Sequence, residues 1–358
     1  MGVPNTSISD LINHSLPHFR DKPNFEAYYD LQNYTATDYW FSEDRYTTQS
    51  GKRVEWRVIP DPDNGSARFV DKFEATPRIY RNVMQRAFAE WCYAEATATY
   101  EERTMREMSD ESEIYDYLKA IYFDGKISLM NLLETSCLGV PASASDGKTP
   151  MGFFYWINYL NSGTTDFVGQ FGGQTAIFGD AATTTTIGGL STQTYPKHRN
   201  WAFNHSGMNM QTIDAIRLAC LKTGFTPPRD VREYQKPKAK RFAIYSSLDY
   251  KSEYARLVNA GPDNRNGDLN PFSAEGALTF MGYDWNGAAV LDGATYNPIC
   301  GIDRNNFQPI VMSGNWMQQS KAMRDPDRRH VWTVYWDCQY NFGVRNKRAG
   351  NWVGHTAF

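Results

Sequence analysis

The sequence predicts an α+β fold, and three observations carry that prediction. Near the C-terminus Trp332, Val334, Trp336, Cys338, Tyr340, Phe342 and Val344 form an unbroken apolar row at spacing two, opposite Thr333, Tyr335, Asp337, Gln339 and Asn341. That is the period of one long half-buried strand. Between Ser109 and Cys137, the residues Ile114, Leu118, Ile121, Leu129, Leu132 and Leu133 recur at three-to-four spacing, which predicts a helix roughly 40 Å long. Elsewhere short strand-like runs and one further amphipathic helix alternate with connections rich in Gly, Ser, Thr and Asn.

Size and composition set the class of protein. At 358 residues the chain is long enough for one large or two ordinary domains with a substantial core. Aromatic residues reach 15%, with 10 Trp, 22 Tyr and 20 Phe, and large rings are favoured both in cores and at protein interfaces. A net charge of only -3 excludes the strongly basic balance of a protein that lives on nucleic acid, so any DNA contact is local. Neither a signal peptide nor a run of 18 apolar residues is present, and the expectation is an intracellular, soluble chain with no membrane partner. Five scattered Cys without a C-x-x-C pair read as buried reduced thiols.

Taken in order, the first 37 residues, broken by Pro4, Pro17 and Pro23, predict an extended arm with short helical pieces. Tyr39 to Thr48 and Arg53 to Ile59 read as two strands joined across Gln49-Ser50-Gly51-Lys52, a hairpin with Lys52 at its tip. A lone hairpin is marginal, so it needs a second element or subunit beneath it. The cluster Pro60 to Ser66 returns the chain. Residues 78 to 107 read two ways: Ile79 to Trp91 fit helical spacing, whereas Trp91, Tyr93, Glu95, Thr97 and Thr99 alternate with small residues, which favours extended structure for the second half. Asp110 and Glu113 form a capping-box spacing at the start of the long helix, with Gly125 as a candidate kink. From Pro141 to Met208 the Gly/Thr-rich stretch holds Phe153, Phe154, Tyr155, Trp156 and Tyr159, which predict an ordered, interface-making segment. A helix over Gln211 to Thr223 ends at Gly224. Beyond it come a strand at Arg241 to Ser246, a helix near Lys251 to Asn259, a polar loop at Gly261 to Asn270, and strands around Leu278 to Met281, Ala288 to Leu291 and Ile299 to Gly301. The final strand runs into Arg345-Asn346-Lys347-Arg348 and a tail of small residues.

Motifs for chemistry are missing. The sequence holds no phosphate loop, no H-E-x-x-H, no G-x-S-x-G and no dinucleotide fingerprint. Its six His lie far apart, and the acidic run from Glu101 to Glu113 reads as a solvated face. Hence no catalytic, cofactor-binding or metal-ligating residue is assigned and no cofactor is expected. Arg324, Arg328, Arg329 and His330 flank the start of the last strand and Arg345, Lys347 and Arg348 its end. Pairing with the acidic face of a neighbouring subunit is the first expectation for them, ahead of phosphate contact.

In order along the chain, Met151-Gly152-Phe153-Phe154-Tyr155-Trp156-Ile157, Gly188-Gly189-Leu190-Ser191-Thr192-Gln193-Thr194-Tyr195-Pro196 with Arg199-Asn200-Trp201, Lys222-Thr223-Gly224-Phe225, Asn297-Pro298-Ile299-Cys300-Gly301-Ile302-Asp303 and the basic ending Arg345 to Gly350 resemble the major capsid proteins of tailed bacteriophages. The resemblance implies the Hong Kong phage 97 fold: an N-terminal arm (1–37), an extended loop (38–77), a peripheral domain with a spine helix (78–140), a mainly axial domain (141–300), and a return to the peripheral domain with the C-terminal strand (301–358).

It also implies a function: self-assembly into the hexamers and pentamers of an icosahedral shell that encloses a double-stranded DNA genome, built in the host bacterial cytoplasm and residing in the virion. The implied partners are other copies of the chain, a separate scaffolding protein, a portal, packaged DNA at the inner surface and a decoration protein. Candidate inter-subunit contacts are Lys52, Arg53 and Trp56 on the hairpin and Arg328, Arg329, Arg345, Lys347 and Arg348 around the last strand. Some relatives crosslink a Lys to an Asn; no partner for Lys52 is identified here. The competing readings are another virion protein, such as a tail-tube or decoration protein, which would lack the long helix, and a carbohydrate-active enzyme or lectin, which would need convergent carboxylates or exposed Trp residues in a cleft.

Overall fold

A computed structural model of the chain describes residues 8–16, 33–42, 46–61, 69–74, 83–108, 111–160, 167–225, 242–260 and 278–356. The helices are α1 (Ile8–Ser15), α2 (Thr35–Trp40), α3 (Glu102–Glu107), α4 (Glu111–Leu138), α5 (Phe153–Trp156), α6 (Met210–Thr223) and α7 (Leu248–Ala260). The strands are β1 (Thr47–Gln49), β2 (Val54–Val58), β3 (Gln85–Ala89), β4 (Cys92–Glu101), β5 (Gln170–Gly173), β6 (Ala176–Ile177), β7 (Thr183–Thr184), β8 (Thr186–Ile187), β9 (Leu190–Ser191), β10 (Asn200–His205), β11 (Phe242–Ser246), β12 (Thr279–Phe280), β13 (Tyr283–Gly287), β14 (Ile299–Asp303), β15 (Phe307–Met312), β16 (Gln318–Gln319), β17 (Met323–Arg324), β18 (Val331–Val344) and β19 (Trp352–Thr356).

The first sheet is organised on β18. One edge pairs antiparallel with β4, from Val331↔Glu101 to Tyr340↔Cys92. The other edge takes β15, β16 and β17 in succession, and β1 adds parallel to β15. Val334, Trp336, Cys338 and Tyr340 are all buried, at about 1.5–3 kcal/mol for a large apolar side chain. Helix α4 lies against β4. A Cβ at Gly125 would sit 2.9 Å from the Trp336 ring and 3.2 Å from the Thr97 carbonyl oxygen. Helix α4 runs unbroken through this point, so Gly125 serves close approach to the sheet rather than a kink. Leu118, Leu129 and Leu133 are buried as the spacing predicts, whereas Leu132 is exposed. Ser109 and Asp110, the expected cap, lie outside the described residues, as do Gly261 to Asn270 and Pro62 to Ser66.

The second sheet runs β12-β13-β11-β14-β19-β10-β5. Helix α6 packs on β10 and β19, and α7 on β13. Asn209 caps α6 by accepting the Thr212 N–H at 2.9 Å. Ile213, Ile216, Ala219 and Cys220 face inward, the side the spacing predicts.

Four expectations need correction. Residues 39 to 48 and 53 to 59 are not paired limbs of a hairpin: β1 joins β15, Trp40 is buried on α2, and β2 pairs with β3 from Val54↔Ala89 to Val58↔Gln85. A turn signal is local, whereas strand partners are chosen by packing far along the chain. The tail of small residues beyond Arg348 is not a plain tail: it forms β19, which lies between β14 and β10 in the second sheet. Its two apolar residues are too few to show a period. Ala289–Leu291 is a 3-10 turn, and Tyr283–Gly287 is the strand. Finally, β18 is not evenly half-buried: Thr333, Gln339 and Asn341 are buried on its polar side, Asn341 by accepting the Met151 N–H and donating to the Glu90 carbonyl.

Candidate inter-subunit surface

The root of the β2–β3 hairpin is locked to its own chain. Trp56 donates its indole N–H to the Val344 carbonyl at 3.2 Å and packs on Trp156, ring centroids 5.3 Å apart. The Phe88 N–H is donated to the Gly188 carbonyl at 3.1 Å. Gly188 and Gly189 form the turn between β8 and β9 with φ of +57° and +78°, and a Cβ at Gly189 would be 2.2 Å from the Phe88 ring. Glycine is therefore required there by both conformation and space. Arg53 lies over the Phe88 ring, 4.3 Å from its centroid, and contacts Glu55 at 2.5 Å; that guanidinium holds the Glu55 carboxyl below its usual range. Lys52 is exposed at the hairpin root rather than at a tip. With Gln49, Gly51, Arg53, Glu55 and Glu90 it lines an open cleft of about 660 Å³.

Beyond the root the apolar side chains of the hairpin are exposed among the described residues. Ile59 and Met84 are exposed, and on the connection Phe69, Val70 and Phe73 stand in solvent, the two Phe fully so. Exposed apolar side chains gathered on one projection mark an interaction site. Sequence periodicity missed Phe69 and Phe73, because they fall in a stretch with neither helical nor strand spacing.

The basic residues separate into two kinds. Arg328 and Arg329 are exposed on the turn before β18, where the Asp325 carboxylate accepts the Arg328 N–H and the Arg329 carbonyl accepts the Arg324 side chain at 2.5 Å. Arg345 is exposed after β18. Arg348 is half-buried and stacks over Phe171 at 3.8 Å. Lys347 does not reach the surface: it is 2% exposed and donates to the Asn158 side-chain oxygen. Burial pushes its pKa down to about 7 and that of nearby His198 to about 3. Lys347 and Trp56 thus act within the chain, while Lys52, Arg328, Arg329 and Arg345 face outward.

The outer face of the β4–β18 ladder is polar and open. Tyr93, Glu95, Thr97, Thr99 and Glu101 are exposed, and Glu95 stands directly opposite exposed Asp337. Among the described residues no cluster of His, Cys, Asp and Glu could hold a metal ion, and no helix is long and apolar enough to cross a membrane.

Solved structures share this architecture from end to end. A capsid asymmetric unit of cyanophage A-1(L) superposes with a TM-score of 0.58 at 11% identity, covering 99% of both chains. The fold is that of a phage capsid protein. The capsid of a native GTA particle matches at TM-score 0.54 and 10% identity over 99% of this chain and 100% of that one, and the capsid of Myoviridae phage XM1 at 0.53 and 8% over 94% and 96%. This is the Hong Kong phage 97 capsid fold that the sequence resemblance implied. No family model and no curated protein matches the sequence. At 8 to 11% identity the chain shares few residues with these structures.

Proposed function

We propose that this chain is the major capsid protein of a tailed bacteriophage, assembling into the hexamers and pentamers of an icosahedral shell around double-stranded DNA. The end-to-end correspondence of fold with the cyanophage A-1(L) capsid, 99% of each chain, carries this reading. In it the chain is a building block without a catalytic site. Many modest heterologous contacts sum over a closed shell, and the exposed Phe69, Val70 and Phe73 are where such a contact is needed.

The β4, α4 and β15–β18 layer is the peripheral domain in this reading. The seven-stranded sheet with α6 and α7 forms the axial domain, the β2–β3 hairpin the extended loop and the segment up to α2 the arm. A separate scaffolding protein, a portal, a decoration protein and packaged DNA are the further partners proposed, and the virion is the place of residence. Electron microscopy of the full chain co-expressed with its phage scaffolding protein tests the reading. Closed shells or rings of five and six subunits are expected; stacked tubes, or only monomers, overturn it.

A further inference from the structure

Helix α2 touches both sheets and the long helix at once. The Trp40 ring stacks on Tyr245 of β11 in the second sheet, centroids 5.7 Å apart, and meets Phe307 of β15 in the first sheet edge-on at 4.9 Å. The Arg304 guanidinium lies over the Tyr39 ring at 4.0 Å and donates to the Tyr245 hydroxyl at 3.0 Å. On α4 the Glu134 carboxylate accepts the Ala36 and Thr37 N–H groups. Arg304 belongs to a chain crossing between the sheets, residues 304–306 from β14 to β15, and a second crossing, residues 345–351 from β18 to β19, is bonded to it. The Asn306 side chain donates to the Ala349 carbonyl and the Arg345 N–H to the Asn306 carbonyl, both at 3.0 Å. Two short element-terminal segments side by side make a hinge line. The seat of α2 is incompletely satisfied. Among the described residues the Asn33 side-chain oxygen, the Thr35 hydroxyl, the Trp40 indole N–H and the Arg304 Nε–H are buried without a hydrogen-bond partner. Such groups are rare because losing water without replacement is costly. Water regains them when α2 leaves, which offsets part of the apolar burial lost with Trp40.

We infer that α2 is a reversible strap: seated, it holds the two sheets at one angle, and unseated, it frees the subunit to turn about residues 304–306 and 345–351. Trp40 is the wedge, in contact with a ring from each sheet, while Glu134 and the Tyr39–Arg304 contact align the helix so that the wedge enters. A helix of six residues without a side-chain cap has little stability of its own, so α2 is ordered by its seat. Whatever binds residues 33–40 better off the seat than on it shifts the population towards the hinged form. This is a property of the single subunit and does not depend on the shell reading. An α2 that is only packing comes loose when the sheets unfold; a strap comes loose first.

Hydrogen exchange of the full chain tests the strap without any substitution. The amides of Ala36 to Trp40 are expected to exchange at least about tenfold faster than those of α4 and β18, which open only with the whole subunit. Equal rates overturn the strap. The angle is read as the distance between spin labels on Thr99→Cys of β4 and Ser252→Cys of α7, both exposed positions, the five native thiols being buried. With Trp40 present the distance distribution is expected to be single and narrow. Trp40→Ala should broaden it about twofold while circular dichroism keeps the fold. Trp40→Phe keeps a ring between Tyr245 and Phe307 and should return the narrow distribution. A folded Trp40→Ala subunit as narrow as the wild type overturns the strap, and so does a wild type as broad as that variant. If Trp40→Ala does not fold, Tyr39→Leu, which removes the ring under Arg304, takes its place with the same two outcomes.

Discussion

Glu134 on α4 holds Thr37 on α2 through two hydrogen bonds: its carboxylate accepts the Thr37 backbone N–H at 2.6 Å and the Thr37 hydroxyl at 2.7 Å. It also accepts the Ala36 N–H at 3.1 Å. A buried carboxylate thus satisfies the first amides of α2, a short helix that has no side-chain cap of its own. Tyr34 adds a bond to Asn131 one turn earlier on α4. Glu134 is the point at which the N-terminal segment is pinned to the long helix.

Removing that pin should be costly. Glu134→Ala leaves two buried amides and a hydroxyl without their acceptor and is expected to lower unfolding stability by about 3 kcal/mol. Chemical denaturation measures this, and a loss under about 1 kcal/mol would mean that water replaces the carboxylate. Burial outweighs the three donors and raises the Glu134 pKa above its usual 4.5. The folded state then holds the proton more tightly, so this residue's contribution is greatest below pH 4.5 and declines as pH rises through the folded pKa. The decline should be absent from Glu134→Gln.

Lys347 has the opposite pH dependence. Its pKa falls from 10.5 to about 7 on burial, so between those values the unfolded chain binds the proton and the folded chain does not. Stability should therefore rise with pH from about 7 towards 10.5. In Lys347→Met this component should vanish. Thermal melts of both proteins across that range decide the matter; parallel curves would show that the amine keeps its proton.

Gly125→Leu is expected to destabilise the chain by about 2–3 kcal/mol, because even a Cβ there meets Trp336 at 2.9 Å and the sheet backbone at 3.2 Å. Glycine costs a helix only about 1 kcal/mol relative to alanine, so the gain in helix propensity does not compensate. A Leu variant as stable as the wild type would show that α4 can move away from the sheet.

Phe69→Ser combined with Phe73→Ser should leave the melting temperature of the subunit within about 1 °C, since surface substitutions away from packed features change stability little. Particle yield in the presence of scaffold should nevertheless fall. If instead the subunit melts lower, the two rings pack within the chain.

All five thiols are buried. Burial lifts Cys92 and Cys338 to about 11 and Cys220 to about 12, with Cys137 and Cys300 also raised. Because the thiolate is the reactive form, a thiol reagent at pH 8 should find almost nothing in the native chain and five groups in denaturant.

What the sequence by itself determined is whatever has a local period. The alternation at Trp332 to Val344 and at Trp91 to Thr99 places β18 and β4. The three-to-four spacing from Ile114 to Leu133 places α4, and Ile213, Ile216 and Cys220 mark the inner side of α6. These signals lie within the element that produces them. The tertiary structure alone decided the partner of each strand: β2 with β3 across some thirty residues rather than the turn beside it, and Trp352–Thr356 between β10 and β14. It also sorted the basic residues, burying Lys347 against Asn158 while Arg328, Arg329 and Arg345 stay in water. The chemical letter of a lysine does not say whether it is desolvated, because burial is the sum of contacts from segments distant in the chain. The same holds for the cross-strand neighbours Glu95 and Asp337, or Arg57 and Arg86, which face each other only once two strands are in register.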